Sequence, residues 1–187
     1  MHEEQMDFCK SVKKIHPHHF IQKRILDVGS LSVNGDNRYL FTQCEYLGID
    51  VGAGKNVDII MPGHEYDAPD GSFDTIISTE CFEHDMHYPK TLKNIVRLLK
   101  SGGMFLFTCA APGREEHGTL RTRPQDSPLT SEISEWSNYY KNLGEKDLRA
   151  VLALDFIFLD YEVDEHHEIK INPLRAINDL YFWGIKK

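Results

Sequence analysis

The sequence predicts an α/β fold: a mostly parallel sheet of seven strands with an antiparallel last strand. Three observations predict it. Five short apolar runs lie between residues 24 and 109, rich in β-branched or aromatic residues and apolar on both faces, as strands buried on both sides of a parallel sheet are. A helix-like stretch leads at once into the fifth run, the layout of a crossover connection. The last two runs stand too close together for a crossover helix, so the final pairing should be antiparallel.

In chain order, Arg24 to Gly29 reads as a strand ending in a turn and Glu45 to Asp50 as a second. Asn56 to Ile60 is a weaker third, Phe73 to Ser78 a fourth and Met104 to Cys109 a fifth. Pro89 to Lys100 is the best helix. Leu92, Ile95, Val96 and Leu99 fall at i, i+3, i+4 and i+7, Pro89 suits its first turn, and Ser101-Gly102-Gly103 supplies its stop. A second helix spans about Glu145 to Leu154. Phe156 to Val163 is the sixth strand, Asp164 to Pro173 a polar turn, and Leu180 to Ile185 the seventh strand. Ala110 to Gly144 is irregular and holds Trp136, Tyr139 and Tyr140. A loop of that length is often a lid or binding segment, and its aromatics line a pocket or form a packing stripe.

The expected organisation is one domain over 1–187, with an N-terminal helical segment at 1–23 and a lid-like insert at 110–144. A chain of 187 residues buries roughly two-thirds of its unfolded surface, so it needs no metal or disulfide to fold. Net charge −8 weighs against nonspecific nucleic-acid binding. No apolar run approaches the ~18 residues of a membrane span. The opening MHEEQMDFCK lacks the layout of a signal peptide. Cys9, Cys44, Cys81 and Cys109 form no CxxC pair, which fits a reducing compartment and a cytoplasmic location. Lys10, Lys13, Lys14, Lys23 and Arg24 read as a solvated face.

In an open α/β sheet, ligands sit beyond the carboxyl ends of the strands. The first end gives Asp27-Val28-Gly29-Ser30, then Leu31 to Gly35. Gly29 permits a sharp turn and leaves no Cβ beside a ligand, and Asn34-Gly35 tolerates positive φ. The second ends in Asp50, 23 positions after Asp27, where an acid can accept both ribose hydroxyls. No G-x-G-x-x-G or P-loop accompanies it. That disfavours a nicotinamide-dependent oxidoreductase and points to an adenosine ligand without phosphates, of which S-adenosylmethionine is the common one.

The stretch from Ile25 to Ala110 resembles the class I S-adenosylmethionine-dependent methyltransferases, above all those similar to the ubiquinone/menaquinone-biosynthesis enzymes. Ile25 to Gly29 matches their first motif and Tyr46 to Asp50 their second. Asp70 to Ser78, Glu80-Cys81-Phe82-Glu83-His84 and Leu98 to Gly103 match three more in order. The resemblance implies a Rossmann-like, seven-stranded methyltransferase sheet, S-adenosylmethionine as cofactor, and an acceptor taken here as a small molecule. It implies cofactor contacts at Asp27, Gly29, Ser30, Asp50, Val51 and Thr79, with Gly63 or His64 at the adenine. Three departures stand out: Gly29 to Gly35 replaces the usual G-x-G-x-G, only Val51 to Lys55 separate the second and third strands, and Met61 to His64 occupies the place of a family Asp.

Methyl transfer is displacement at a sulfonium, so the protein must align the reactants and exclude water. Glu80 and His84, after the fourth strand, are the candidates for a general base, and Glu80 also for binding the methionine amine. His84, Asp85 and His87, like His16, His18 and His19 or His166 and His167, lack a recognised ligand spacing, so no metal is expected. The altered first loop keeps one alternative open: a non-catalytic protein of the same fold that binds cofactor or a partner chain.

Overall fold

The computed structural model describes residues 3–152, 159–160 and 179–186. Seven strands form one sheet: β1 (Arg24–Val28), β2 (Glu45–Asp50), β3 (Ile59–Ile60), β4 (Phe73–Thr79), β5 (Leu99–Ala110), β6 (Leu159–Asp160) and β7 (Asp179–Lys186). Their spatial order is β3-β2-β1-β4-β5-β7-β6. β1 pairs parallel with β2 and β4, β2 with β3, and β4 with β5. β7 runs antiparallel to both β5 and β6. The helices are α1 (Glu3–Ile15), α2 (Tyr88–Leu98), α3 (Pro128–Glu132) and α4 (Glu145–Leu152).

Alternation along each strand divides the core between the two sheet faces. Leu26 and Val28 of β1 join Leu92, Ile95 and Leu98 of α2 and Leu148 and Leu152 of α4. Ile25 turns the other way, towards Cys9 and Val12 of α1, with Ile77, Leu106 and Trp183. Each fully buried Leu or Ile of the α2 stripe contributes about 1.5–3 kcal/mol. Strand order reverses between β1 and β4, and such a switch point opens a crevice at the carboxyl strand ends.

Several boundaries differ from the sequence reading. The third strand is Ile59–Ile60 alone. Asn56 sits at φ +75 and spends its side-chain amide on the Ser30 carbonyl at 2.9 Å, which takes it out of a ladder. α2 ends at Leu98 and β5 begins at once, because Leu99 already pairs with Phe73 before a register shift. Pro124–Asp126 forms a 3-10 turn and Pro128–Glu132 the short α3, so the 110–144 stretch is not wholly irregular. α4 ends at Leu152. Of the predicted sixth strand only Leu159–Asp160 is described; the rest of it, the Asp164–Pro173 turn and His166 and His167 lie outside the described residues. Among the described residues no helix is long and apolar enough to cross a membrane, and the four cysteines are unpaired.

Candidate functional site

A cavity of about 450 Å³ opens at the carboxyl ends of β1, β2 and β4. One wall is the loop from Gly29 to Asn37. The opposite wall is the insert, contributing Arg114 to His117 and Asp126 to Thr130. The lining carries seven acidic residues against two arginines, Arg114 and Arg123. A crevice of that polarity favours a ligand bearing positive charge.

The turn after β1 is built by Gly29 at φ +77. The amides of Gly29 and Ser30 both donate to the Ile49 carbonyl, at 3.0 and 3.1 Å, which locks the turn to β2. A Cβ on Gly29 would stand 2.5 Å from Cys81 Sγ. The glycine therefore admits the loop after β4, and the space it leaves is filled by Cys81 rather than kept for a ligand. Ser30 lines the cavity, but its hydroxyl donates to the Asn56 carbonyl at 3.0 Å. That bond ties the first loop to the β2–β3 connection.

Asp27 is buried at the end of β1. Tyr46 donates its phenol to Oδ2, while Oδ1 is buried without a hydrogen-bond partner. Burial pushes this carboxyl up to about 7, against the lowering effect of the Tyr46 hydrogen bond. Beside it, Asn37 donates to Thr79 Oγ1 at 3.1 Å, and its own Oδ1 is likewise buried and unpartnered. Asp50 is held differently. Its Oδ2 accepts the Leu31 amide at 2.9 Å and its Oδ1 the Val51 amide at 2.8 Å. Both oxygens keep a lone pair for a further donor. Burial raises this carboxyl and the two amides oppose the rise.

The Asp27 shift makes stability pH-dependent. An unfolded Asp ionises near pH 4, whereas the folded carboxyl holds its proton to about 7. Between those values the folded state binds more protons, so stability falls as pH rises. Asp27→Asn is expected to remove about 2 kcal/mol of this decline between pH 5 and pH 8. Urea unfolding at the two pH values checks it, and an unchanged slope in the variant would place the titration elsewhere.

Glu80 follows β4 at φ +55, a left-handed conformation costly for a non-glycine residue. The strain is held by its amide, which donates to the Thr108 carbonyl at 2.8 Å, and by its Oε1, which accepts the Thr108 hydroxyl at 3.1 Å. Arg114 of the insert lies 3.5 Å from Glu80 Oε2 and pairs with Asp179 of β7. Burial, then the Asp179 charge, pushes Glu80 up to about 7 despite Arg114. His84 lines the cavity, 4% exposed. Burial, with His117 and Arg114 nearby, drives it down to about 3, so it is neutral at physiological pH.

Of the residues singled out from the sequence, Asp27, Gly29, Ser30, Asp50, Thr79, Glu80 and His84 come together on this cavity. Val51, Gly63 and His64 do not line it. Val51 offers its amide to Asp50. Gly63 is pressed against Thr91 and Val28, and its carbonyl accepts Asn94 at 2.9 Å. His64 packs in a tilted pair with His87 at 4.3 Å and stacks on Trp136 at 6.4 Å. Asp85 accepts the His87 amide at 2.7 Å and the Thr91 hydroxyl at 2.5 Å, which fixes the start of α2. Tyr140 packs on His84 at 5.5 Å, so the insert aromatics serve packing and do not line the cavity. Sequence reasoning missed Arg114, His117 and Asn37. The two insert residues follow no period that could mark them, and Asn37 sits in a loop whose pattern departs from G-x-G-x-G.

A mostly parallel seven-stranded sheet with an antiparallel β7, open at its switch point onto an acidic crevice, defines an α/β protein of the class I methyltransferase kind. A family model described as a methyltransferase domain matches residues 2–142, and the chain belongs to that family. No curated protein matches the sequence significantly. Among solved structures, the chain is similar to the 1,6-didemethyltoxoflavin-N1-methyltransferase of Burkholderia thailandensis, which holds 1,6-didemethyltoxoflavin and S-adenosylhomocysteine. The TM-score is 0.64 at 18% identity, over 96% of this chain and 78% of that one. It is similar to the YcgJ protein of Bacillus subtilis, with TM-score 0.58 at 14% identity over 97% and 99% of the two chains. It is also similar to Haemonchus contortus phosphoethanolamine N-methyltransferase 2 in complex with S-adenosyl-L-methionine. There the TM-score is 0.60 at 18% identity, over 96% of this chain and 52% of that one. At these identities the likeness is one of fold.

Proposed function

We propose that this chain transfers a methyl group from S-adenosylmethionine to a small-molecule acceptor. The observation that carries the reading is the pair of carboxylates ending adjacent parallel strands, Asp27 and Asp50, on one acidic crevice. They offer two kinds of acceptor. Asp50, fixed by two amides with lone pairs left, suits the two hydroxyls of a ribose. Asp27 Oδ1 and Asn37 Oδ1, buried and unpartnered, suit the ammonium of an amino acid. Gly29, Ser30 and Thr79 line the crevice between them. Val51, Gly63 and His64 then stand on the adenine side, because Met61 donates its amide to the Asp50 carbonyl at 2.7 Å and starts that segment beside the ribose acid.

When bound, S-adenosylmethionine supplies an electrophilic methyl on a sulfonium with a good leaving group. The chain supplies alignment and dryness. Glu80 and His84 face the cavity from the loop after β4, where an acceptor proton would be taken up. The insert, anchored by Arg114, forms the outer wall and acts as the lid. Of the similar structures, one holds 1,6-didemethyltoxoflavin with S-adenosylhomocysteine and the Haemonchus contortus N-methyltransferase holds S-adenosyl-L-methionine, which supports a small acceptor under this lid.

Calorimetric titration with S-adenosylhomocysteine is expected to show saturable one-to-one binding, and incubation with labelled S-adenosylmethionine and a metabolite panel to label an acceptor. If the folded chain binds neither S-adenosylmethionine nor S-adenosylhomocysteine, the proposal fails.

A further inference from the structure

On the insert side of the cavity, three side chains from two distant segments converge. Glu83 and His84 follow β4, and His117 lies 33 positions later in the insert. One donor atom of each lies within 4.8 Å of the others, the one such group of three among the described residues. Two of these side chains carry buried atoms with no hydrogen-bond partner: Glu83 Oε2 and His84 Nδ1. Both residues are almost wholly inaccessible, at 0% and 4% exposure. Unsatisfied polar atoms of this kind are rare, and a bound ion is one way to satisfy them.

We propose that Glu83, His84 and His117 form a binding site for one divalent transition-metal ion.

Two imidazoles and a carboxylate are the donor set of Zn²⁺ and Fe²⁺ sites that keep an open position. Supporting contacts are in place. His117 Nδ1 donates to the Glu115 carbonyl at 3.1 Å, which helps to orient the ring. Glu83 Oε1 accepts the Ala110 amide at 3.2 Å, which leaves Oε2 for the ion. Gly118, at φ +65, brings the insert backbone against the His84 ring, where a Cβ would stand 2.5 Å from Cε1. Bonds of about 2.0–2.2 Å require the donors to draw in by about an ångström, and the half-buried His117 is the one placed to move.

The carboxyls of Glu80, Glu83 and Asp179 surround the guanidinium of Arg114, which pairs with the first and third. His84 and His117 both line the cavity, so an open metal position would face it. Resting on the methyl-transfer reading, that position would take an acceptor bearing an oxygen donor, such as a hydroxyl or carboxylate; with the ion bound, His84 is a ligand and Glu80 alone is left to take up the acceptor proton.

The test is calorimetric titration of chelator-treated protein with Zn²⁺, with Co²⁺ absorption as a second signal. One equivalent is expected to bind. His117→Ala, on the half-buried insert, should weaken binding at least tenfold, and Glu83→Gln likewise if it folds. His18→Ala, in the 3-10 turn Pro17–Phe20 before β1, should leave binding unchanged. Absence of binding tighter than about 0.1 mM, or binding that survives His117→Ala, overturns the site. S-adenosylhomocysteine titrated into the same preparation separates the two readings. Its binding without metal binding sinks the metal site alone, and metal binding without it sinks the methyl-transfer reading alone.

Discussion

Asp50→Ala is expected to weaken S-adenosylhomocysteine binding by about 1.5–3 kcal/mol, on the order of 10- to 150-fold. The size follows from what the carboxylate does. It is a half-buried acceptor held by the Leu31 and Val51 amides, so little freedom is lost when a ligand hydroxyl arrives. Removing it deletes charge-assisted bonds to the ribose and frees the loop that carries Leu31. The second effect lowers stability by about 1 kcal/mol per amide left unpaired. Denaturation must therefore be measured beside calorimetry. An unchanged dissociation constant in a folded Asp50→Ala protein would remove this residue from the cofactor site.

Arg114→Met should destabilise the fold by about 3–5 kcal/mol at pH 8. Met keeps most of the buried volume and removes the charge. It leaves Glu80 and Asp179 facing one another with no guanidinium between them. The Asp179 charge already helps to push Glu80 up to about 7 with Arg114 present. At pH 5.5 the Glu80 carboxyl of the variant can take up a proton, so the loss there should be smaller. Arg114→Met with Glu80→Gln should recover part of it, and the double-mutant cycle isolates the pair. Urea unfolding at both pH values gives the answer. A loss under about 1 kcal/mol at pH 8 would mean that solvent, and not the guanidinium, neutralises this cluster.

The sheet was legible where burial on both faces wrote it into composition. Ile25-Leu26, Ile76-Ile77 and Phe105 to Phe107 announce strands because no residue there needs to face water. β3 escaped definition for the opposite reason. It is a two-residue edge with Ile60 58% exposed, and the adjoining Asn56 is diverted into side-chain bonds. The strand-end acids were legible because topology places them: a carboxyl terminus of a parallel strand is a fixed location in space. Gly29 was legible as a turn but not in its reason, since only the fold shows that Cys81 occupies the vacated space. Arg114 and His117 were illegible. They act through residues 65 and 33 positions away, Asp179 and His84, and no local pattern encodes a partner at that distance.

β7 lies between β5 and β6, and its first residue, Asp179, accepts a hydrogen bond at 3.4 Å from Gln5 as well as pairing with Arg114. A contact between positions 174 residues apart closes a very long loop. Translation delivers that strand after β1 to β5, so a nascent chain that has completed those five carries its buried acids and their arginine without the partner that finishes the circuit. Assembly of the crevice is thus coupled to closure of the sheet, and refolding from denaturant should proceed with the slow kinetics of non-local topology.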